Sequence, residues 1–196
     1  MSMASLERLL REIRACRVCA KHLPLEPRPV LRAKASAQLL IIGQAPGTKV
    51  HESGIPWNDR SGDRLRDWLQ LDRDLFYDES RVAIVAMGFC YPGVDKNGGD
   101  LPPRKECAPL WHARIWQQLP KIELTLLVGS YAQAYYLKDR RRSPMTETVR
   151  AWRQCGPQYL PLPHPSWRNI AWIRRNPWFE AELLPELRRR IRRLMA

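Results

Sequence analysis

Apolar runs alternate with segments of helical periodicity along this chain. The runs carry no regular polar alternation, so they predict strands buried on both faces, over residues 38–43, 81–89, 123–128 and 158–162. Apolar residues at helical spacing predict helices over 5–15, 105–119 and 130–137, one capped by Ser61 and one starting from Pro177. This order predicts an α/β fold, a three-layer α/β/α arrangement around a small parallel sheet of about four strands.

The first strand is expected to organise the fold, because it leads directly into Gly-Gln-Ala-Pro-Gly at 43–47. Three polar loops are predicted to leave strand ends on one edge of the sheet, over residues 43–60, 90–103 and 164–169. Open parallel sheets bind their ligands at the carboxyl ends of the strands. The sequence therefore places the candidate site at this edge.

Length and composition favour one folded domain spanning 1–196. A hydrophobic content of 44% argues against a disordered chain, and we find neither repeats nor an internal boundary. No apolar run approaches the ~20 residues that span a bilayer, and the first residues lack a signal peptide's hydrophobic region. We expect a monomeric, cytoplasmic protein without a membrane partner.

The charge balance favours a nucleic-acid partner. Lys and Arg number 33 against 20 Asp and Glu, a net charge of +13 that is typical of proteins binding phosphate backbones. A basic surface that only aids solubility is the alternative. We expect phosphate contacts from the loop Arg140-Arg141-Arg142 and from Arg168, whereas 188–193 is expected to be a solvated helix face.

Four of the five cysteines form a ligand-like pattern. Cys16 and Cys19 are separated by two residues, and Cys90 and Cys107 by sixteen, while Cys155 stands apart. In a reducing compartment such cysteines are better read as metal ligands than as disulfides. Four thiolates can hold Zn²⁺ or an iron–sulfur cluster, and buried structural thiols are a third possibility.

Several motifs, in this order, resemble the uracil-DNA glycosylase superfamily. They are Gly-Gln-Ala-Pro-Gly at 43–47, Gly54-x-Pro56-Trp57, and His164-Pro165-Ser166. With the cysteine spacing, the sequence is most similar to the iron–sulfur-containing family 4 type. The resemblance implies a [4Fe-4S] cluster on Cys16, Cys19, Cys90 and Cys107, and hydrolytic excision of a damaged base, most of all uracil, during repair of DNA.

The resemblance also implies roles for individual residues. His164 matches the catalytic histidine, and the amides around Gln44 and Ala45 match the turn that binds the base. The positions expected to contact the substrate are Gly43, Gly47, Trp57, Ala86 and Ser166, with Trp57 as the stacking ring. Trp167 and Arg168 match the loop that fills the space left by an extruded base.

Departures from the family pattern keep other functions open. Gln44 replaces a glutamate, Val50 an acid, and Ala86 the asparagine that reads the edge of uracil. A DNA-binding protein without excision, a glycosylase for another deaminated base, and a basic metalloprotein with a structural or redox role are the alternatives. The candidates for activating water are Asp59, Glu52 and His51.

Overall fold

The computed structural model describes residues 3–96 and 98–196. Met1 and Ser2 of the predicted domain, and Asn97 of the predicted loop 90–103, lie outside the described residues. The sheet within them consists of β1 (Leu39–Ile42), β2 (Val82–Ile84), β3 (Leu124–Val128) and β4 (Tyr159–Leu162). All neighbouring strands pair in parallel, in the order β2-β1-β3-β4. The predicted small parallel sheet is confirmed.

Helices connect the strands and cover the sheet. In the described residues the α-helices are α1 (Met3–Arg14), α2 (Thr48–Ser53), α3 (Arg60–Leu69), α4 (Arg73–Tyr77), α5 (Cys107–Gln117), α6 (Ser130–Leu137), α7 (Met145–Arg150), α8 (Ile170–Arg175) and α9 (Leu184–Met195). None of them is both long and apolar enough to cross a membrane.

Three details of the predicted elements are corrected. The polar segment 48–60, expected to be a loop, begins with α2, which ends at Gly54 in the left-handed conformation that favours glycine. The residue that caps α3 is Asp59, not Ser61, because the Asp59 carboxylate accepts the Gly62 N–H at 2.8 Å. The segment after Pro177 starts with π-helical turns over Phe179–Leu183 before α9 begins.

The hydrophobic core is divided by the sheet into two layers. Leu39 and Ile41 point to one side, where the apolar faces of α3 and α9 pack. Leu40 and Ile42 point to the other side, against α1, α5 and α6. This alternation follows from the period of two in a strand and explains why β1 is apolar throughout and β3 has Thr125 as its one polar residue. The three-layer α/β/α arrangement is confirmed.

The chain after β2 runs beside the turn after β1. The Met87 and Gly88 amides donate to the carbonyls of Gly43 and Gln44 at 2.9 and 3.0 Å. These bonds continue the ladder past the strand ends and hold Ala86 next to the turn 43–47. The carboxyl edge of the sheet is thereby built from strand exits that are fixed to one another.

Candidate active site

A cavity of about 170 Å³ opens at the carboxyl edge of the sheet. Apolar cavities of about 150 Å³ admit a benzene ring, so this space suits a planar ring. The sequence-predicted residues that line it are Gly43, Gln44, Ala45, Gly47, Trp57, Ala86, His164, Ser166, Trp167 and Arg168. Residues up to 125 positions apart in sequence are thus brought around one space.

Trp57 is fixed in an unusual backbone conformation against the turn after β1. Its φ of 57° lies in the left-handed region that tryptophan rarely adopts. A β-carbon at Gly43 would lie 2.7 Å from the indole, and one at Gly62 would lie 1.8 Å from the Trp57 carbonyl oxygen. Arg66 donates to that carbonyl at 3.2 Å. Two glycines and one buried arginine therefore hold the indole in the cavity wall.

His164 follows β4 and faces the indole. The ring centroids of Trp57 and His164 are 5.5 Å apart, with a 32° angle between the planes. The loop is held by Asn169, which donates to the His164 carbonyl at 2.7 Å, and by Arg64, which donates to the Pro165 carbonyl at 3.0 Å. Neither supporting residue belongs to a motif that sequence reasoning used.

The environment of His164 favours its neutral form. Burial lowers the pKa of His164 below its usual value, although the carboxylates of Asp59 and Asp100 act in the opposite direction. At neutral pH a neutral imidazole presents one N–H donor and one acceptor. The side chain can therefore donate a hydrogen bond to an oxygen that becomes negative, without itself carrying a charge.

Two carboxylates line the cavity with His164. Asp59 was one of three predicted candidates for activating water, whereas Asp100 was missed. His51 and Glu52, the other candidates, do not line the cavity. Their backbone carbonyls accept hydrogen bonds from Arg28 at 2.6 and 2.7 Å. Of the three candidates, only Asp59 is therefore placed where it could meet a substrate.

The wall at Ala86 carries no side-chain amide. Its backbone carbonyl is 2.9 Å from Nε2 of the buried His112, whose Nδ1 is 2.7 Å from the Tyr136 hydroxyl. Since a carbonyl only accepts, Nε2 carries the proton and Tyr136 donates to Nδ1. Burial lowers the pKa of His112 to about 4 and keeps this arrangement uncharged. His112 thus fixes the backbone of this wall.

A second buried side chain supports the opposite wall. The Gln133 amide nitrogen donates to the carbonyls of Leu127 and Leu162 at 3.3 and 2.9 Å, close to the exits of β3 and β4. Gly129, between β3 and α6, lies against His164, because a β-carbon there would be 3.7 Å from that of the histidine. The two strand exits behind His164 are therefore clamped together.

Trp167 and Arg168 form the outer rim of the cavity. Trp167 is 70% exposed, and the Arg168 guanidinium lies 5.3 Å from the centroid of its ring. Arg168 also donates to the Gly98 carbonyl at 3.0 Å, which ties this loop to the one after β2. An exposed indole beside a cation is suited to stacking on a base near phosphates.

The predicted basic loop Arg140-Arg141-Arg142 does not reach this cavity. It follows α6, which carries the chain back to the amino edge of the sheet. Arg140 there donates to the Cys155 carbonyl at 3.0 Å and lies over Tyr159, the first residue of β4. The structure therefore separates this loop from Trp167 and Arg168, with which it was predicted to contact DNA.

The four cysteines of the predicted ligand pattern line one recess. Cys16, Cys19, Cys90 and Cys107 surround it, whereas Cys155 lies in the core elsewhere. Burial raises the pKa of Cys90 to about 11 and of Cys107 to about 12, and it also raises the pKa of Cys19. No three His, Cys, Asp or Glu side chains of the described residues converge closely enough to hold one metal ion.

The sequence was compared with models of known protein families. A sequence model of the uracil DNA glycosylase superfamily matches residues 32–188, which contain the sheet and every residue that lines the cavity at its carboxyl edge except Val30. The match extends from before β1 into α9 and includes the turn 43–47, Trp57 and His164. The chain belongs to the uracil DNA glycosylase superfamily, whose members are DNA glycosylase hydrolases.

Proposed function

We propose that the chain is a DNA glycosylase of the iron–sulfur-containing family 4 type, acting on a deaminated base, uracil foremost. The observation that carries the proposal is the convergence of the turn 43–47, Trp57 and His164 on one cavity at the carboxyl edge. A glycosylase needs a pocket for the extruded base, a stacking ring and donors for the charge on the leaving base.

Base capture would use Trp57 and the turn after β1. The indole is held rigidly by Gly43 and Gly62, so stacking costs little side-chain entropy. The amides around Gln44 and Ala45 lie at the same wall and would bind polar atoms on the base edge. Trp167, on the rim, would enter the space that the base leaves.

Bond cleavage would depend on His164. As the C1′–N bond breaks, its electron pair moves onto the base, and negative charge grows on the carbonyl oxygens of the base. The neutral imidazole donates its N–H to such an oxygen and stabilises this charge. Because the charge develops only during departure, the hydrogen bond strengthens in the transition state and accelerates the reaction.

Water would complete the hydrolysis beside the carboxylates. The water oxygen bonds to C1′, and its proton passes to Asp100 or Asp59, while the leaving base takes a proton from solvent. One oxygen of Asp59 already caps α3. Asp100, in the loop after β2, does not cap a helix and is therefore the better candidate for accepting the proton from water.

The cysteine recess supports the proposed subtype. An all-cysteine donor set fits a [4Fe-4S] cluster, which Cys16, Cys19, Cys90 and Cys107 would hold. The same four cysteines could instead hold Zn²⁺, and metal analysis of the purified protein would distinguish the two. When bound, the cluster supplies iron–thiolate bonds that join three distant chain segments.

The decisive experiment measures release of free base from synthetic DNA. Single-turnover reactions would contain duplex or single strands with uracil, hypoxanthine or xanthine at one position, and an undamaged strand as control. Release of uracil supports the proposal, and preferential release of a purine would change the substrate. Binding without release of any base would favour a non-excising DNA-binding protein, the alternative suggested by the methyl group at Ala86 in the cavity wall.

A further inference from the structure

Two basic segments that lie about 50 residues apart in sequence meet at the amino edge of the sheet. Arg140, in the loop after α6, donates to the Cys155 carbonyl at 3.0 Å. Arg190, on α9, donates to the Pro157 carbonyl at 3.3 Å. The same short turn therefore binds one arginine from each segment, which places the two basic segments beside each other.

We call this region the amino-edge surface. Its arginines are Arg140, Arg141, Arg142, Arg153, Arg189, Arg190 and Arg193. Glu186 pairs with Arg189 and Arg190, and Glu182 with Arg153. Five carboxylates, those of Glu123, Asp139, Glu147, Glu182 and Glu186, lie in or beside the same segments as the seven guanidinium groups, so the segments keep a positive surplus.

A concave part of this surface lies beside the start of β3. Arg189, Arg190 and Arg193 line a recess of about 290 Å³ next to Leu124 and Pro157. Leu124 is the first residue of β3, and the base cavity lies beyond the last residues of the strands. At ~3.3 Å per residue, a five-residue strand separates the two edges by about 16 Å before the loops are counted. A duplex held at the cavity therefore contacts a different edge.

The chemistry of the surface favours a phosphate backbone over a folded protein. The large hydrophobic side chains exposed in the described residues are Val18, Leu25, Val94, Leu101, Leu110, Tyr131, Tyr135 and Trp167. None belongs to 138–158 or 184–196. Protein interfaces have an apolar, often aromatic, core that this surface lacks, whereas the planar guanidinium fork matches phosphate oxygens.

We propose that the amino-edge surface binds the phosphate backbone of a second DNA segment while the cavity edge holds the first. Binding of the first segment at the cavity edge rests on the proposed function, whereas binding of the second segment at the amino-edge surface does not require excision. A protein with two such edges would hold two DNA segments at once and could pass from one to the other. We expect the surface to read charge more than base sequence, because contacts to phosphates carry no sequence information.

A bridging assay with undamaged DNA tests the proposal. A tethered duplex is loaded with protein, washed, and offered a second, fluorescent duplex, with light scattering to confirm the oligomeric state. The test variant is Arg141→Glu, Arg189→Glu, Arg193→Glu. The matched control is Arg8→Glu, Arg11→Glu, Arg14→Glu on α1, which changes the net charge equally on the other side of the sheet.

We expect the wild type and the control to retain the second duplex, and the test variant to retain at least tenfold less. Binding of the first duplex and any excision should change less than twofold. The salt dependence of second-duplex binding should lose about one unit of slope per contact removed. Failure of the wild type to bridge, equal losses in both variants, or bridging only by a dimer would each overturn the proposal. Tighter binding of a polyglutamate peptide than of DNA at this surface would overturn it in favour of an acidic protein.

Discussion

The indole of Trp57 lies directly against Gly43, so that a β-carbon at position 43 would come within 2.7 Å of the ring. The close packing of the tryptophan fourteen positions later therefore requires a glycine after β1. Position 47 differs, because no atom lies within 4 Å of a β-carbon placed there. The two glycines of one motif thus have different physical roles.

Gly43→Ala should displace Trp57 and impair base capture. The indole cannot retreat easily, since its backbone is confined by Gly62 and bound by Arg66. We expect a loss of unfolding free energy of about 1–3 kcal/mol from overpacking, and at least a tenfold slower single-turnover excision. Denaturant titration and excision assays measure both. Gly47→Ala is the control for stability, and an equal destabilisation there would contradict the steric explanation.

His164→Ala should slow excision by on the order of a hundredfold, as does loss of one oxyanion donor. Affinity for an uncleaved duplex should remain nearly constant, because phosphate contacts dominate it. In the wild type the lowered pKa of His164 should keep excision constant as the pH falls through the usual histidine range, with a decline only at lower pH. Excision that is unaffected by His164→Ala would refute the assignment of the active site.

Asp100→Asn should lower the excision rate more than Asp59→Asn does, when both rates are expressed per molecule of folded protein. Asp59 caps α3, so its loss should lower stability by about 1 kcal/mol, whereas Asp100 is exposed and its loss should not. Removing Asp100 also removes a charge that raises the pKa of His164, so the acid limb of the pH–rate profile should move to lower pH. If Asp100→Asn left both the excision rate and its pH dependence unchanged, that carboxylate would lie outside the reaction.

The sheet was predictable from sequence because its strands are buried on both faces. The runs around 39–42 and 124–128 contain apolar residues at both alternations, as a strand covered on both faces requires. Helix α2 was missed because its six residues have little apolar periodicity and only Val50 is buried. Its stability depends on tertiary contacts and the turn at Gly54.

The site was predictable only where a motif carried it. Asp100 has no local signal, since its approach to His164 depends on long-range bonds such as Gln44 to the Leu101 carbonyl at 3.4 Å and Arg168 to Gly98. The separation of Arg140 from Arg168 was equally hidden. It follows from the direction of α6, which returns the chain to the amino edge of the sheet. The pattern of charges along the sequence does not predict that direction.

His112 should make folding stability depend on pH. In the unfolded chain its pKa is about 6.5, but in the folded protein burial lowers it to about 4. Between these values the unfolded state binds a proton that the folded state does not, so stability falls as the pH is lowered from 6.5 to 4. The full loss is about 3 kcal/mol, and it is complete below pH 4, where both states are protonated.

His112→Gln tests this linkage, because glutamine keeps a donor for the Ala86 carbonyl and does not titrate in this range. The variant should lose less stability than the wild type between pH 6.5 and 4, measured by urea denaturation at each pH. His112→Leu should be less stable than His112→Gln at every pH, since it leaves that carbonyl unpaired. Parallel pH curves for the wild type and His112→Gln would show that another group carries the dependence.

The cysteine recess leads to the last prediction. Protein purified without oxygen should be brown, absorb broadly near ~400 nm and contain iron and sulfide, because four cysteine side chains line one recess. Cys90→Ser and Cys107→Ser should remove the colour and lower the melting temperature, since their proposed partners Cys16 and Cys19 belong to a distant segment that the cluster would join to them. Cys155→Ser is the matched control: this thiol is buried in the core away from the recess, so the colour should persist. Colourless protein with one zinc per chain would contradict the cluster but keep the four-thiolate site, and brown protein that survives Cys90→Ser unchanged would contradict the ligand assignment itself.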